Sequence, residues 1–326
     1  MFARLIHKLL IFIILLFSML VSANSSADQN IQVVIVANDK LAFHKEIIDS
    51  MHARLRILGA NQSTPIVVNL SDADTYIRNH AKTTGLIVTI GTEATSKVIS
   101  EHGTLPIYGV AVPRLSYDQI HRQYVNPSSG AKDRHLAALY LDQPFTRRLD
   151  LIQALTPSSK HIGIVLSPAT RHYLGEIKNL TRQRDLQLQI GEVTQESEII
   201  QTLDRTLEKS DVMLGMVDPL VFNRVNARNV LLTAYRWRVP LIGISPSYVQ
   251  AGALASVYST PAQIGQQLAD NLAQFWRSDG RDLPLAQYPK YFDVAVNYQV
   301  AEFLGIHAVS EKELKEKLSR KRSGGQ

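Results

Sequence analysis

Beyond an apolar opening stretch, short runs rich in Val, Ile and Leu alternate with longer segments whose apolar residues recur three and four positions apart. The first kind predicts buried strands and the second amphipathic helices. In the first half, strands are expected at 31–37, 66–70, 85–90 and 106–112, and helices at 42–58, 72–81 and 92–102. The helix at 42–58 places Ile47, Ile48, Met51, Leu55 and Leu58 on one face. The pattern breaks over 117–133, where Pro127-Ser128-Ser129-Gly130 reads as a loop. It resumes with strands at 137–141, 161–166, 186–193, 212–217 and 239–244 and helices at 144–155, 172–184, 196–207 and 220–237. A loop at 245–248, a short apolar strand at 253–257 and a capped helix running to Phe275 follow. Apolar strands each followed by a helix indicate parallel sheets covered on both faces. The break and restart divide them into two similar doubly wound lobes of an α/β protein.

The ends change this picture in different ways. Arg4 and Lys8 precede a 13-residue apolar stretch at 9–21, and Val21-Ser22-Ala23 offers a small-residue cleavage site. That is the pattern of a signal peptide over 1–23, and the stretch is shorter than the roughly 20 residues that span a bilayer. Export to the periplasm is expected, with retention as an uncleaved anchor the alternative. The chain has no cysteine, so disulfides, cysteine-bound metals and a lipidated cysteine are excluded. Its 45% hydrophobic content must supply the core.

The net charge of +6 sits at the ends: without the leader and the basic stretch after Glu311, the body holds 27 basic and 27 acidic residues. A neutral body argues against nucleic acid as a partner, which requires a basic face on the folded domain. The segment 310–326 reads as a basic, disordered tail with affinity for anionic membrane surfaces.

In doubly wound sheets, ligands bind beyond the carboxyl ends of the strands. The residues there are Asn38 after the first strand, Gly91, Thr92 and Thr95 after the third, and Ala111-Val112-Pro113 after the fourth. In the second half they are Ser167, Asp218, and Ser245 with Tyr248. Gly91-Thr92 opens a helix, where free N–H groups suit a carboxylate; ordinary capping would need the same residues. Asp218 would hold a ligand ammonium, or cap the helix that Pro219 begins. Tyr248 can stack on a ligand or pack as a hinge aromatic, and the serines offer hydroxyls or satisfy turns.

Enzymatic signals are thin. Neither G-x-G-x-x-G nor G-x-x-x-x-G-K-[ST] occurs, so no cofactor is expected. Gly243-Ile244-Ser245-Pro246-Ser247 misses the nucleophile-elbow pattern at its last position. The ten histidines show no metal-ligand spacing.

Several segments carry a family resemblance by their order and spacing. They are Ile90-Gly91-Thr92-Glu93-Ala94-Thr95, Arg147-Arg148-Leu149-Asp150-Leu151-Ile152 leading to Leu155-Thr156-Pro157, and His161-Ile162-Gly163-Ile164-Val165. Val239-Pro240-Leu241-Ile242-Gly243, the run from Tyr248 to Ser256, Val296-Asn297 and the run from Ala301 to Ile306 complete the set. The chain resembles substrate-binding proteins of ABC transporters with the type I periplasmic-binding fold. The resemblance implies two lobes joined by three crossings, closing on a ligand and presenting it to a membrane permease. It divides the chain into lobe one at 30–141 and 254–285 and lobe two at 142–253 and 286–309. By analogy with aromatic amino-acid receptors, Gly91/Thr92 would hold a carboxylate and Asp218 an amine. The expectation is a monomeric, non-enzymatic periplasmic receptor for a small polar ligand, amino-acid-like in one version, serving uptake. A sensor that signals to a membrane partner is its main rival, and an enzyme on a related two-lobed fold a second.

Overall fold

The computed structural model describes residues 32–60, 64–125 and 135–323. The leader expected at 1–23 and the loop expected at 127–130 lie outside them. Strands β1 (Gln32–Ala37), β2 (Ile66–Asn69), β3 (Thr84–Ile90), β4 (Ile107–Val112) and β5 (Leu136–Tyr140) form a wholly parallel sheet in the order β2-β1-β3-β4-β5. A second sheet contains β6 (His161–Leu166), β7 (Gln187–Glu192), β8 (Val212–Leu214), β9 (Leu241–Ile242), β10 (Ala255–Tyr258) and β11 (Asp293–Val296). Its order, read from one edge, is β7-β6-β8-β9-β10-β11, with β11 alone antiparallel. The first five strands of each sheet therefore repeat one doubly wound order, which is what the duplicated pattern implied.

In the first lobe the helices are α1 (Ala42–Ile57), α2 (Ala73–His80), α3 (Thr92–His102) and α4 (Arg114–Tyr124). In the second they are α5 (Phe145–Leu155), α6 (Leu174–Arg182), α7 (Ile199–Leu207), α8 (Ala227–Arg236) and the single turn α9 (Pro246–Gln250). Helix α10 (Pro261–Arg277) returns to lobe one and buries Ile264, Leu268, Leu272 and Phe275 against the same core as Ile47, Met51 and Leu55 of α1. Thr260 starts α10 with a reciprocal capping box to Gln263. Two last helices, α11 (Tyr298–Phe303) and α12 (Glu311–Ser323), belong to lobe two.

Five sequence-based assignments change. The break over 117–133 contains most of α4, whose Leu115, Tyr117 and Ile120 are buried. The helix expected at 220–237 begins only at Ala227. Before it, Asn223 and Asn226 side chains bond the Pro219 and Leu220 carbonyls, an alternative to the helical ladder. The 245–248 loop is largely α9, with Pro246 at its first position. The strand near 253–257, expected to lead into lobe one at 254, is β10 of the second sheet. Finally, the tail expected to be disordered is α12: Leu314 and Leu318, one turn apart, are buried in the lobe-two core, and Lys315 pairs with Asp293 at 2.5 Å. One apolar stripe was enough to dock a helix whose other positions are mostly charged.

Three crossings join the lobes: after β5, between β10 and α10, and from Tyr288 to β11. They are stitched to one another. Gln143 donates to Ser259 Oγ at 2.9 Å, Ser259 donates to the Tyr291 carbonyl at 2.6 Å, and the Arg147 guanidinium donates to Gln143 and to the Pro289 carbonyl. Arg147 also lies 4.1 Å from the Phe292 ring centroid. Among the described residues no helix is long and apolar enough to cross a membrane.

Candidate functional site

The carboxyl ends of β4, β5 and β8 face one another across the lobes. The chain at the end of β4 is unusual: Ala111 has φ +57°, and the pairing of β4 with β5 shifts register between Val110 and Val112. A non-glycine residue in the left-handed region costs about 1–3 kcal/mol. The distortion swings Pro113 out of the strand and lets α4 begin at Arg114, within the cleft. The Arg114 backbone N–H donates to the Asp142 carboxylate, just past β5.

The Arg114 guanidinium lies 4.7 Å from the Tyr173 ring centroid and 5.7 Å from that of Tyr288. Its Nη1 donates to the Tyr288 hydroxyl at 2.6 Å and to Glu176 Oε2 at 2.8 Å. Glu176 stands in the first turn of α6, in the other lobe. Arg148 of α5, deeply buried, donates to the Gly215 carbonyl at the end of β8. Burial pushes Asp142 up to about 6, against the opposing pull of the Arg114 N–H and of Arg148. Burial likewise lowers Arg148 to about 10, although Asp142 pulls it the other way. Both shifts say that desolvation outweighs the attraction between the two. Tyr288 is pushed up to about 12 by burial, with Arg114 opposing.

Leu115, Phe145, Met216 and Val217 complete the walls, and the space left is only about 30 Å³. That is room for a water; small-ligand sites occupy roughly 300–1,000 Å³. A larger hollow of about 740 Å³ opens on the outer side of lobe two, among α8, α9 and α11. It does not touch the facing strand ends.

The residues expected from sequence divide into three groups. Asn38, Gly91 and Thr92 sit together at the ends of β1 and β3 with His44, which sequence reasoning passed over. The Asn38 N–H donates to His44 Nδ1 at 3.1 Å, which leaves Nε2–H as a donor. Burial lowers the His44 pKa, against the raising effect of Glu93. A side chain on Gly91 (φ +86°) would stand 3.3 Å from Nε2. Thr95 faces the core instead: its hydroxyl bonds Thr89 Oγ1 at 2.7 Å and donates to the Gly91 carbonyl at 2.9 Å.

Asp218 is 3% exposed, and both carboxylate oxygens are engaged. Oδ1 accepts from the Leu220 and Val221 N–H groups, and Oδ2 from the Ser167 N–H and the Thr170 hydroxyl. It organises a turn and its partner loop, so the ammonium role drawn from the resemblance finds no free oxygen. Ser167 belongs to the same turn, its Oγ accepting from the Ala169 N–H. At the end of β9, Ser245 and Ser247 pair at 2.8 Å, and Tyr248 donates to the Phe222 carbonyl at 2.7 Å. Burial pushes the Tyr248 hydroxyl up to about 12.

Arg114, Asp142, Arg148, Tyr173, Glu176 and Tyr288 were not foreseen. Arg114 follows directly on Ala111-Val112-Pro113, and the doublet Arg147-Arg148 falls on the apolar side of α5; both were visible signals. Glu176 and Tyr288 carried none.

Two doubly wound lobes with strand ends facing across a three-stranded hinge define the type I periplasmic-binding class. Residues 62–319 match the family described as ABC transporter substrate binding protein, and the chain belongs to that family. No curated protein sequence matches it. Among solved structures, a Streptococcus pneumonia domain in complex with L-Trp is 20% identical, with a TM-score of 0.55 over 88% of this chain and 98% of that one. A conserved domain protein of Vibrio cholerae is 22% identical, with a TM-score of 0.54 and the same coverage. A ligand-free, open substrate-binding protein with adhesive properties from Clostridium difficile is 16% identical, with a TM-score of 0.64 over 86% and 97%. At these identities the likeness is one of fold.

Proposed function

We propose that this chain is a periplasmic, non-enzymatic receptor that captures a small ligand, an amino acid or related compound, between its lobes and delivers it to the permease of an ABC uptake system. The observation that carries this is the bridge across the cleft: Arg114 and Asp118 of lobe one hold Glu176 and Tyr173 of lobe two directly at the strand ends. A cleft that closes on side-chain pairs opens when they part, and the three-stranded hinge permits that motion without unfolding either core. Membership of a substrate-binding family and the export-type leader support the same reading. The protein acts as a monomer in this scheme.

The test is a thermal-shift screen of the purified protein against amino acids, sugars and small organic anions, followed by native mass spectrometry. A ligand at a hundred times its Kd stabilises by about 2.7 kcal/mol, a readily measured rise in Tm. If no compound of any class raises Tm or adds mass, the capture reading fails.

A further inference from the structure

Arg114 takes its closest counter-charge from the opposite lobe. Its own lobe offers the Tyr288 hydroxyl and, at 3.9 Å along the helix, Asp118, whose carboxylate also accepts from Tyr173. The close charged partner is Glu176 at 2.8 Å. The two side chains are 26% and 37% exposed, so the pair lies at the mouth of the cleft rather than in the core. When the lobes part, Glu176 and the Tyr173 ring leave together. The backbone N–H bond to Asp142 and the bond to Tyr288 stay, so the guanidinium remains aimed into the cleft. What opens is a positioned, partly dried cation beside apolar walls.

We propose that Arg114 is the anchor for the ligand's anionic group, a carboxylate on a small apolar or aromatic body, and that Glu176 occupies this anchor until the ligand displaces it. The assignment rests on the capture reading above. It differs from the carboxylate site at Gly91/Thr92 that the family resemblance implied.

Each part of the chemistry follows from the surroundings. A guanidinium fork matches a planar carboxylate with two parallel donors. Leu115, Phe145, Met216 and the Tyr173 and Tyr288 rings suit an apolar body. Arg114 and Arg148 both line the space and disfavour a cationic ligand. Asp118, Asp142 and Glu176 gather around the same point and disfavour a dianion such as phosphate. The space of about 30 Å³ cannot receive a ligand beside the Arg114–Glu176 pair, so the ligand must replace Glu176.

The probes are 3-phenylpropionate and 4-methylpentanoate, their primary amides, and the amines of the same carbon skeletons, titrated calorimetrically into the purified protein. The carboxylates are expected to bind about tenfold or more tightly than the amides, and the amines not at all. Arg114→Gln is expected to erase the preference of carboxylate over amide. Glu176→Gln, at a half-exposed position, is expected to tighten carboxylate binding about threefold or more by removing the internal competitor. A carboxylate preference that survives in Arg114→Gln overturns the proposal, as does weaker binding by Glu176→Gln, which would make Glu176 a latch of the liganded form. If the wider screen finds only ligands that carry no carboxylate, capture stands and this assignment falls. If nothing of any charge binds, both fall.

Discussion

The Tyr173 hydroxyl, in lobe two, donates to the Asp118 carboxylate of lobe one at 2.7 Å. His172 Nε2 approaches the same carboxylate at 3.6 Å, and the Tyr173 ring packs edge-on against Phe145 at 5.8 Å. The bond is therefore a link between rigid bodies, held by a ring that cannot swing away. Hydrogen bonds to charged groups contribute about 1.5–3 kcal/mol.

Tyr173→Phe keeps the ring, its packing and its contact with Arg114, and removes only this link. The closed population is expected to fall about tenfold relative to the open one. Small-angle scattering of the ligand-free protein should show a larger radius of gyration. An unchanged scattering profile would mean that closure rests on other contacts.

Asp218→Ala is expected to cost stability rather than ligand affinity. It removes an acceptor shared by the Ser167, Leu220 and Val221 N–H groups and the Thr170 hydroxyl. Stranding such buried donors costs about 1–3 kcal/mol each before relaxation, so a drop of about 3 kcal/mol is expected in chemical denaturation. Asp218→Asn, which keeps one acceptor oxygen, should lose less. Unchanged stability with lost binding would return Asp218 to the ligand site.

Gly265→Ala tests how closely α10 approaches α1. A Cβ there would stand 2.3 Å from the Ile47 carbonyl oxygen and 3.0 Å from the Met51 nitrogen. Both are backbone atoms of a helix and cannot rotate aside. The roughly 1 kcal/mol that alanine gains over glycine in a helix is smaller than the roughly 1–3 kcal/mol or more of overpacking. A net loss of about 2 kcal/mol is expected in urea unfolding. A variant as stable as the parent would show that the helices can part freely.

Asp142 gives the protein a defined pH dependence. Its folded pKa is raised by burial to about 6, above the ordinary 3.8. Its favourable contribution is thus complete below about pH 4 and lost as pH rises through 6. At 1.36 kcal/mol per pKa unit the loss is at most about 3 kcal/mol. Asp142→Asn, which still accepts from the Arg114 N–H, lacks this titration. Its stability relative to the parent should grow between pH 4 and 7. A gap independent of pH would show that Asp142 titrates normally.

Local patterns made most of the fold legible. Val33 to Ala37 and Ile87 to Ile90 are strands buried on both faces, and their apolar runs, interrupted only at Thr89, say so. The segment around Ile120 was harder, because α4 has few apolar residues and stands just before the turn-forming sequence Pro127-Ser128-Ser129-Gly130. The last helix was misread for a related reason: two leucines among many charges carry little weight until a groove is present to receive them. Thr95 and Asp218 looked like site residues because capping, turn formation and ligand binding use the same short polar side chains. Only their hydrogen-bond partners distinguish the roles.

The sequence by itself determined two similar doubly wound lobes built on parallel strands, because hydrophobic periodicity acts within a dozen residues. It also determined which strand ends were worth inspecting. The tertiary structure decided what stands at those ends. Arg114 meets Glu176 from 62 positions away and Tyr288 from 174. No local pattern encodes such meetings, since they depend on where the hinge lets two separately formed lobes come to rest.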